Sequence, residues 1–94
     1  MRSPTVRDIV IAGHTGDVAT ARAGLAHATA EVRIASIGAL ERTGSLTDAD
    51  LRVHLLPSTE PSPSVRRRAA EAAALHRDLY LTDVLDDPEW SVVE

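Results

Sequence analysis

Hydrophobic residues recur at helical spacing along most of the chain. In three stretches a Val-Arg pair opens a run with small or apolar residues four, seven and eight positions further on, and the valines are Val6, Val32 and Val65. His14 interrupts the first copy. This spacing places the residues of each run on one face of a helix, so it predicts three helices with a buried stripe. The separations between successive valines predict a repeating unit of about 30 residues.

Between these marked helices the pattern predicts shorter second helices. They cover about 17–28, 48–56 and 79–86. The middle one has Leu51 and Leu55 on one side and apolar residues on the other, namely Ala49, Val53 and Leu56. A helix that is apolar on both sides is expected between two neighbours. No strand alternation occurs, so the predicted fold class is all-α.

Capping residues mark the predicted helix ends. Ser3-Pro4 and Ser62-Pro63 each combine an N-cap oxygen with a proline suited to the first helical position. Thr47 followed by Asp50 resembles a capping box. Glycines follow helical stretches where left-handed C-caps are expected, at Gly13, Gly16 and Gly44.

Composition restricts the core and the partner. Aromatic residues make up only 2% of the chain, so the core must be built from Ala, Val, Leu and Ile in closely packed helices. Cysteine is absent, which excludes disulfides and thiolate metal ligands. The net charge is −4, with a balance of +1 over residues 1–44 and −5 over residues 45–94. The acidic half argues against nucleic-acid binding and suits a basic protein partner.

The repeated motif resembles HEAT-like repeats. The resemblance rests on the Pro-x-Val-Arg start, the small residues four and seven positions on, and the Leu85-Asp86-Asp87-Pro88 junction. More narrowly, the chain resembles bacterial short repeats related to phycobilisome lyase subunits. This implies an α-solenoid in one domain, 1–94, with units at 3–28, 29–58 and 59–86 and a partial unit at 87–94. It also implies first helices on the convex side and second helices on the concave side, which is the usual binding surface.

The last residues of the chain look like the start of a fourth unit. Trp90, Val92 and Val93 would open its first helix, and no second helix follows to cover them. Three explanations fit this pattern. The chain is a fragment of a longer array, or the apolar end pairs with a second copy, or the last residues fold back over the third unit.

No catalytic or metal-binding motif is recognised in the sequence. The four histidines, His14, His27, His54 and His76, form no pair at the i, i+4 spacing of metal ligands, and none is followed by glutamate. Phosphate loops and nucleophile motifs are not found either. An acidic cluster near the third unit, comprising Asp83, Asp86, Asp87 and Glu89, is interpreted as a solvated edge or as a docking patch for arginines. We therefore expect no enzyme activity and no cofactor.

The repeated arginines have two interpretations. Every basic residue is arginine, and Arg7, Arg33 and Arg66 directly follow the marked valines. The favoured interpretation places them along the seams between units, with acceptors among Asp50, Asp83 and Glu31. The competing one is a ladder of phosphate contacts around residues 66–68, as in HEAT-like DNA glycosylases. The acidic surroundings and the lack of stacking aromatics argue against it.

These observations lead to an expected function. The chain is expected to be a non-enzymatic protein-protein interaction or scaffold module in the bacterial cytoplasm, because no signal peptide or membrane-length apolar run is found. The alternative is an accessory subunit of a bilin-type lyase with an apolar groove for a tetrapyrrole. The residues predicted to contact the partner are Arg22, His27, Asp50, His54, Asp83 and Trp90.

Overall fold

The computed structural model describes the backbone of residues 4–84 and the side chains of residues 4–75. This part of the chain folds into helices without any strand, which confirms the all-α prediction for it. The helices are α1 (Val6–Thr15), α2 (Val18–Gly24), α3 (Ala30–Arg42), α4 (Asp48–Leu55) and α5 (Pro63–Val84). None of them is long and apolar enough to cross a membrane.

Helix α3 lies at the centre of the packing. It contacts α1, α2 and α5, while α1 also packs on α2 and α4 packs on α5. The core is aliphatic, as composition predicts, and its fully buried side chains include Ile9, Ile37, Leu40 and Val65. Small residues let the helices approach closely. A Cβ atom added at Gly13 would lie only 3.0 Å from the Cβ of Ala39.

The predicted register is correct for the second and third copies of the motif. Val32 and Val65 are 4% and 0% exposed. Four positions further on, Ser36 and Ala69 are both buried as well. The two valines therefore occupy equivalent positions of α3 and α5.

The register of the first copy is wrong. Val6 is 40% exposed, because helix α1 begins at this residue and its inward positions start with Ile9. Buried Ile9 of α1 corresponds instead to buried Ile37 of α3. The left-handed glycines that follow these helices, Gly16 and Gly44, are the same number of residues apart as Ile9 and Ile37. The alignment of α1 with α3 that pairs Ile9 with Ile37 therefore differs by two positions from the predicted alignment, which pairs Val6 with Val32.

Some of the predicted helix ends are confirmed. Ser62 caps α5 through its Oγ, which accepts a hydrogen bond from the Val65 N–H at 3.4 Å, and Pro63 is the first helical residue. Thr47 forms the predicted capping box with Asp50. Gly16 and Gly44 have φ angles of 80° and 71°, the left-handed conformation that favours glycine.

Other predicted helix ends are wrong. Helix α1 is capped by a capping box of Thr5 and Asp8, shortly after the expected Ser3-Pro4 start. Gly13 lies inside α1, where the close approach to Ala39 requires a small residue.

The second helices also differ from prediction. Helix α2 ends at Gly24, four residues before the expected Ala28, while α4 matches its predicted range to within one residue. The second helix of the third predicted unit, expected at 79–86, does not form a separate element, because α5 continues from Pro63 to Val84. Residues 64–84 contain neither glycine nor proline, so nothing in the sequence breaks this helix. The proposed fourth unit and Trp90 lie outside the described residues.

Candidate functional site

Helices α2 and α4 are built on the same pattern of capping and buried residues. Their N-cap residues Asp17 and Thr47 each accept a backbone N–H three residues on, from Thr20 at 3.2 Å and from Asp50 at 3.1 Å. The inward positions also correspond, because Ala21 and Leu51 are both buried. The exposed residues of the two helices can therefore be paired position by position.

Both helices, with the residues that directly follow them, expose apolar side chains at equivalent positions. The matched pairs, all exposed, are Ala19 with Ala49, Ala23 with Val53, and Ala26 with Leu56. Val53 and Leu56 are 47% and 52% exposed. The prediction that α4 is sandwiched between neighbours is therefore wrong, because only its Leu51 side is covered. We call these six residues the α2–α4 surface.

An ion pair holds the two helices in register at this surface. Nη1 of Arg22 donates to both carboxylate oxygens of Asp50, at 2.7 and 2.9 Å, and Nη2 donates to the carbonyl of Ser45 at 2.8 Å. Burial alone would raise the pKa of Asp50, but the Thr47 N–H and the Arg22 guanidinium outweigh it and lower that pKa. The Arg22 side chain is still 42% exposed. Two of the predicted partner residues thus meet beside the exposed apolar positions.

His54 lies on the opposite, inward side of α4. It is 5% exposed, and its Nδ1 lies 2.8 Å from Oε1 of Glu60, which is itself 1% exposed. The predicted contact between His54 and a partner is thus corrected, because the side chain is buried against a carboxylate of its own chain. Its equivalent in α2 is Gly24, which is buried where α2 packs on α3.

Glu60 is the centre of a buried polar network. Its carboxylate accepts hydrogen bonds from Arg33 Nε at 2.9 Å, from Arg33 Nη2 at 2.7 Å and from the Ser62 N–H at 3.1 Å, in addition to the His54 contact. Burial alone would raise the pKa of Glu60, but these hydrogen bonds and the charge of Arg33 lower it from 4.5 to about 2. A carboxylate saturated with donors in this way is a structural anion and is poorly suited to accept a proton in catalysis.

Arg33 pairs with an acid, as predicted, but the acceptor is Glu60, which is not among the expected ones, and its place at a seam between repeat units stays a prediction. Its guanidinium binds Glu60 and also donates to the carbonyls of His27 and Ala28, both at 2.9 Å. Arg66 donates to the Glu60 carbonyl at 2.7 Å, whereas Arg7 is exposed. The sequence did not reveal Glu60, because it lies in the proline-containing loop before α5, where no periodicity applies.

The remaining predicted site residues are dispersed. His27 lies half-buried in the α2–α3 loop, where its Nδ1 accepts the Thr29 N–H at 3.0 Å. The backbone of Asp83 is in the last turn of α5, but its side chain and all of Trp90 fall outside the described set. Their contacts with a partner stay predictions.

The arginines of the predicted phosphate ladder are mostly engaged within the protein. Arg66 binds a backbone carbonyl and Arg68 pairs with Glu41 across α3 and α5. Only Arg67 of the three is exposed. Among the described residues, no group of three or more His, Cys, Asp and Glu side chains could hold a metal ion.

Comparison with known proteins identifies no relative. No protein-family model, no curated protein and no solved structure matches the chain. The resemblance to HEAT-like repeats therefore rests on the residues quoted above, and it stays a prediction.

Proposed function

We propose that the chain is a non-enzymatic protein-binding module built from HEAT-like helix pairs, and that the α2–α4 surface contacts the partner. The observation that carries the proposal is the repetition of exposed apolar side chains at matched positions of α2 and α4. On the resemblance to bacterial short repeats, the proposal assigns the module to the bacterial cytoplasm.

Apolar exposure repeated in this way supports a contact surface. A single exposed aliphatic residue is ordinary, whereas a contiguous apolar patch on a small protein is typical of an interaction site. Here Val53 on α4 and Leu56 at its C-cap are both exposed, and alanines are exposed at the matched positions of the α2 segment. A patch of this kind with a polar rim is the usual composition of a protein interface.

The Arg22–Asp50 pair supports the same surface. It fixes the relative positions of α2 and α4 through two hydrogen bonds to one carboxylate and one to the Ser45 carbonyl. A preorganised surface loses less conformational entropy on binding. The net charge of −4 favours a partner with a basic surface.

The proposal is tested by affinity capture from an extract of the source organism. Proteins retained by the immobilised chain are quantified for the wild type and for Val53→Glu. We expect the charged side chain to weaken the specific partner about tenfold or more, because it must be buried in an apolar contact.

A matched control is available on another helix. Val10 on α1 is also 47% exposed, so Val10→Glu introduces the same charge with the same loss of apolar surface. It should leave capture unchanged, and circular dichroism should give both variants the melting curve of the wild type. Equal loss in the two variants, or no loss in either, would contradict the proposed surface.

A further inference from the structure

A groove is present on the layer formed by α1, α3 and α5. Its volume is about 260 Å³, and its apolar wall includes Val10 and Ile34. Arg42 and Arg68 line it as well, and none of its lining residues, which all lie between positions 10 and 68, is acidic. The α2–α4 surface contributes no residue to this groove, so an inference about the groove is independent of the function proposed above.

Gly38 forms part of the groove, and packing between helices does not explain a glycine at this position. It lies inside α3, where glycine is less favourable than alanine. A Cβ atom there would meet only the Arg68 Nη2, at 3.5 Å, which is an ordinary contact. Gly13 differs, because a Cβ atom there would lie 3.0 Å from the Cβ of Ala39. The missing side chain at Gly38 therefore leaves open space in the groove, as at a position where the backbone is approached by a ligand.

The two arginines of the groove differ in their engagement. The Arg68 guanidinium is paired with Glu41. Arg42 is exposed, and among residues 4–75 no acidic group lies within ion-pair distance of it. A guanidinium presents a fork of N–H donors that matches the geometry of a carboxylate. Arg42 is therefore available to the carboxylate of a ligand, whereas Arg68 is already held by one.

The volume and the lining of the groove limit the kind of ligand. Sites for drug-sized ligands and cofactors commonly measure roughly 300–1,000 Å³, so a groove of about 260 Å³ suits a molecule smaller than a tetrapyrrole. One apolar wall and one available guanidinium match one hydrocarbon tail and one carboxylate. Peptide recognition, in contrast, commonly reads several side chains together. We therefore consider a small organic acid rather than a peptide as the occupant.

We propose that the groove binds a small aliphatic carboxylic acid. The hydrocarbon tail lies on the wall of Val10 and Ile34 and over Gly38, and the carboxylate binds Arg42. Burial of the tail provides the hydrophobic part of the affinity, and charge-assisted hydrogen bonds from the guanidinium fix the orientation. No acidic lining residue is present to repel the carboxylate.

Octanoate is the probe, and its binding to the full-length chain is followed by an NMR titration that resolves the backbone amides. We expect saturable shift changes at the amides of Ile34, Gly38 and Arg42 and none at the α2–α4 surface. Octanamide has the same carbon chain and no charge. It should bind about tenfold more weakly, because it cannot form the charge-assisted contact with Arg42.

Two variants test the two ends of the groove. Arg42→Glu should weaken octanoate binding about tenfold or more, because it replaces the cation with a repelling anion. Gly38→Ala should also weaken it, because the new methyl group fills the open space, while the melting temperature does not fall. Weaker binding without lower stability distinguishes a ligand contact from a structural role. Arg52→Glu, which changes an exposed arginine on α4, is the matched control and should leave the affinity unchanged.

Several results would overturn the proposal. These are the absence of a saturable shift at the groove, shift changes centred on other residues, and equal losses of affinity in Arg42→Glu and Arg52→Glu. Equal affinities for octanamide and octanoate would contradict the carboxylate contact. An acetylated tripeptide with a C-terminal leucine is titrated in parallel, and tighter binding of this peptide than of octanoate would assign the groove to a peptide and overturn the small acid.

Discussion

Glu60 is the centre of the largest buried polar network among residues 4–75. A buried carboxylate is costly unless it is fully paired, and here Arg33, His54 and the Ser62 N–H provide that pairing. The network joins the α2–α3 loop, α3, α4 and the start of α5, and its Arg33–Glu60 pair links residues 27 positions apart in sequence. The sequence predicted that Arg33 would meet an acid at a seam. It did not predict which one, because a loop residue has no periodic position.

Removing the charge of Glu60 is expected to be strongly destabilising. Glu60→Gln leaves the buried Arg33 guanidinium without its counter-charge, and losses of this kind are about 3–5 kcal/mol. The free energy of unfolding is measured by urea denaturation. Glu71→Gln, at an exposed position on α5, is the control and should cost less than about 0.5 kcal/mol. Similar values for both variants would show that the network adds little stability.

The lowered pKa of Glu60 also predicts acid sensitivity. Because its pKa falls from 4.5 to about 2 on folding, its contribution is complete above pH 4.5 and is lost as the pH drops toward 2. The difference between these two pKa values corresponds to roughly 3 kcal/mol. Stability of the wild type should therefore decline over this window.

The same pH series for Glu60→Gln isolates this contribution. The free energy of unfolding of the variant should decline less steeply as the pH falls. Part of the decline should persist, because the pKa values of Asp17 and Asp50 are also lowered in the folded protein. Parallel curves for wild type and variant between pH 4.5 and 2 would contradict the assigned role.

At the scale of helices, much of the structure was predictable from local chemistry. Side-chain and backbone preferences predict the capping box at Thr47, the serine cap and first-turn proline of α5, and the glycines after α1 and α3. The repeat pattern predicts a separate helix at 79–86, whereas residues 64–84, which contain no glycine or proline, continue α5 without a break. The offset of α1 was missed because Val6-Arg7 resembles the later motifs, although Thr5 caps the helix one residue before it.

Close packing between helices gives a prediction at this scale. A Cβ atom at Gly24 would lie 2.0 Å from the Ser36 Oγ and 2.8 Å from the Ile9 Cδ1, so Gly24→Ala forces these side chains or α2 itself to shift. Overpacking of this kind costs about 1–3 kcal/mol. Thermal unfolding followed by circular dichroism measures the change.

Gly38→Ala provides the matched comparison. Its new methyl group would make only an ordinary contact with Arg68, so the higher helix propensity of alanine should stabilise α3 by about 0.5–1 kcal/mol. A lower melting temperature for Gly38→Ala than for Gly24→Ala would contradict the packing described here.

At the scale of the whole molecule, the sequence predicted an all-α chain, and the match of Val32 with Val65 identified equivalent buried positions in α3 and α5. It could not predict which apolar faces stay open. Val53 and Leu56 fit a helix covered on both sides, and only the positions of the neighbouring helices reveal that one side is exposed. Likewise, His54 resembled a surface residue until Glu60 was found beside it.

The central claim is that the α2–α4 surface contacts a protein partner, and site-specific photo-crosslinking tests it most directly. A photoreactive amino acid is placed at position 53 on this surface or at the exposed position 67 of α5, and cells of the source organism are irradiated. The account predicts a discrete adduct with another protein from position 53 and none from position 67. No adduct from position 53, or the same adducts from both positions, would contradict it.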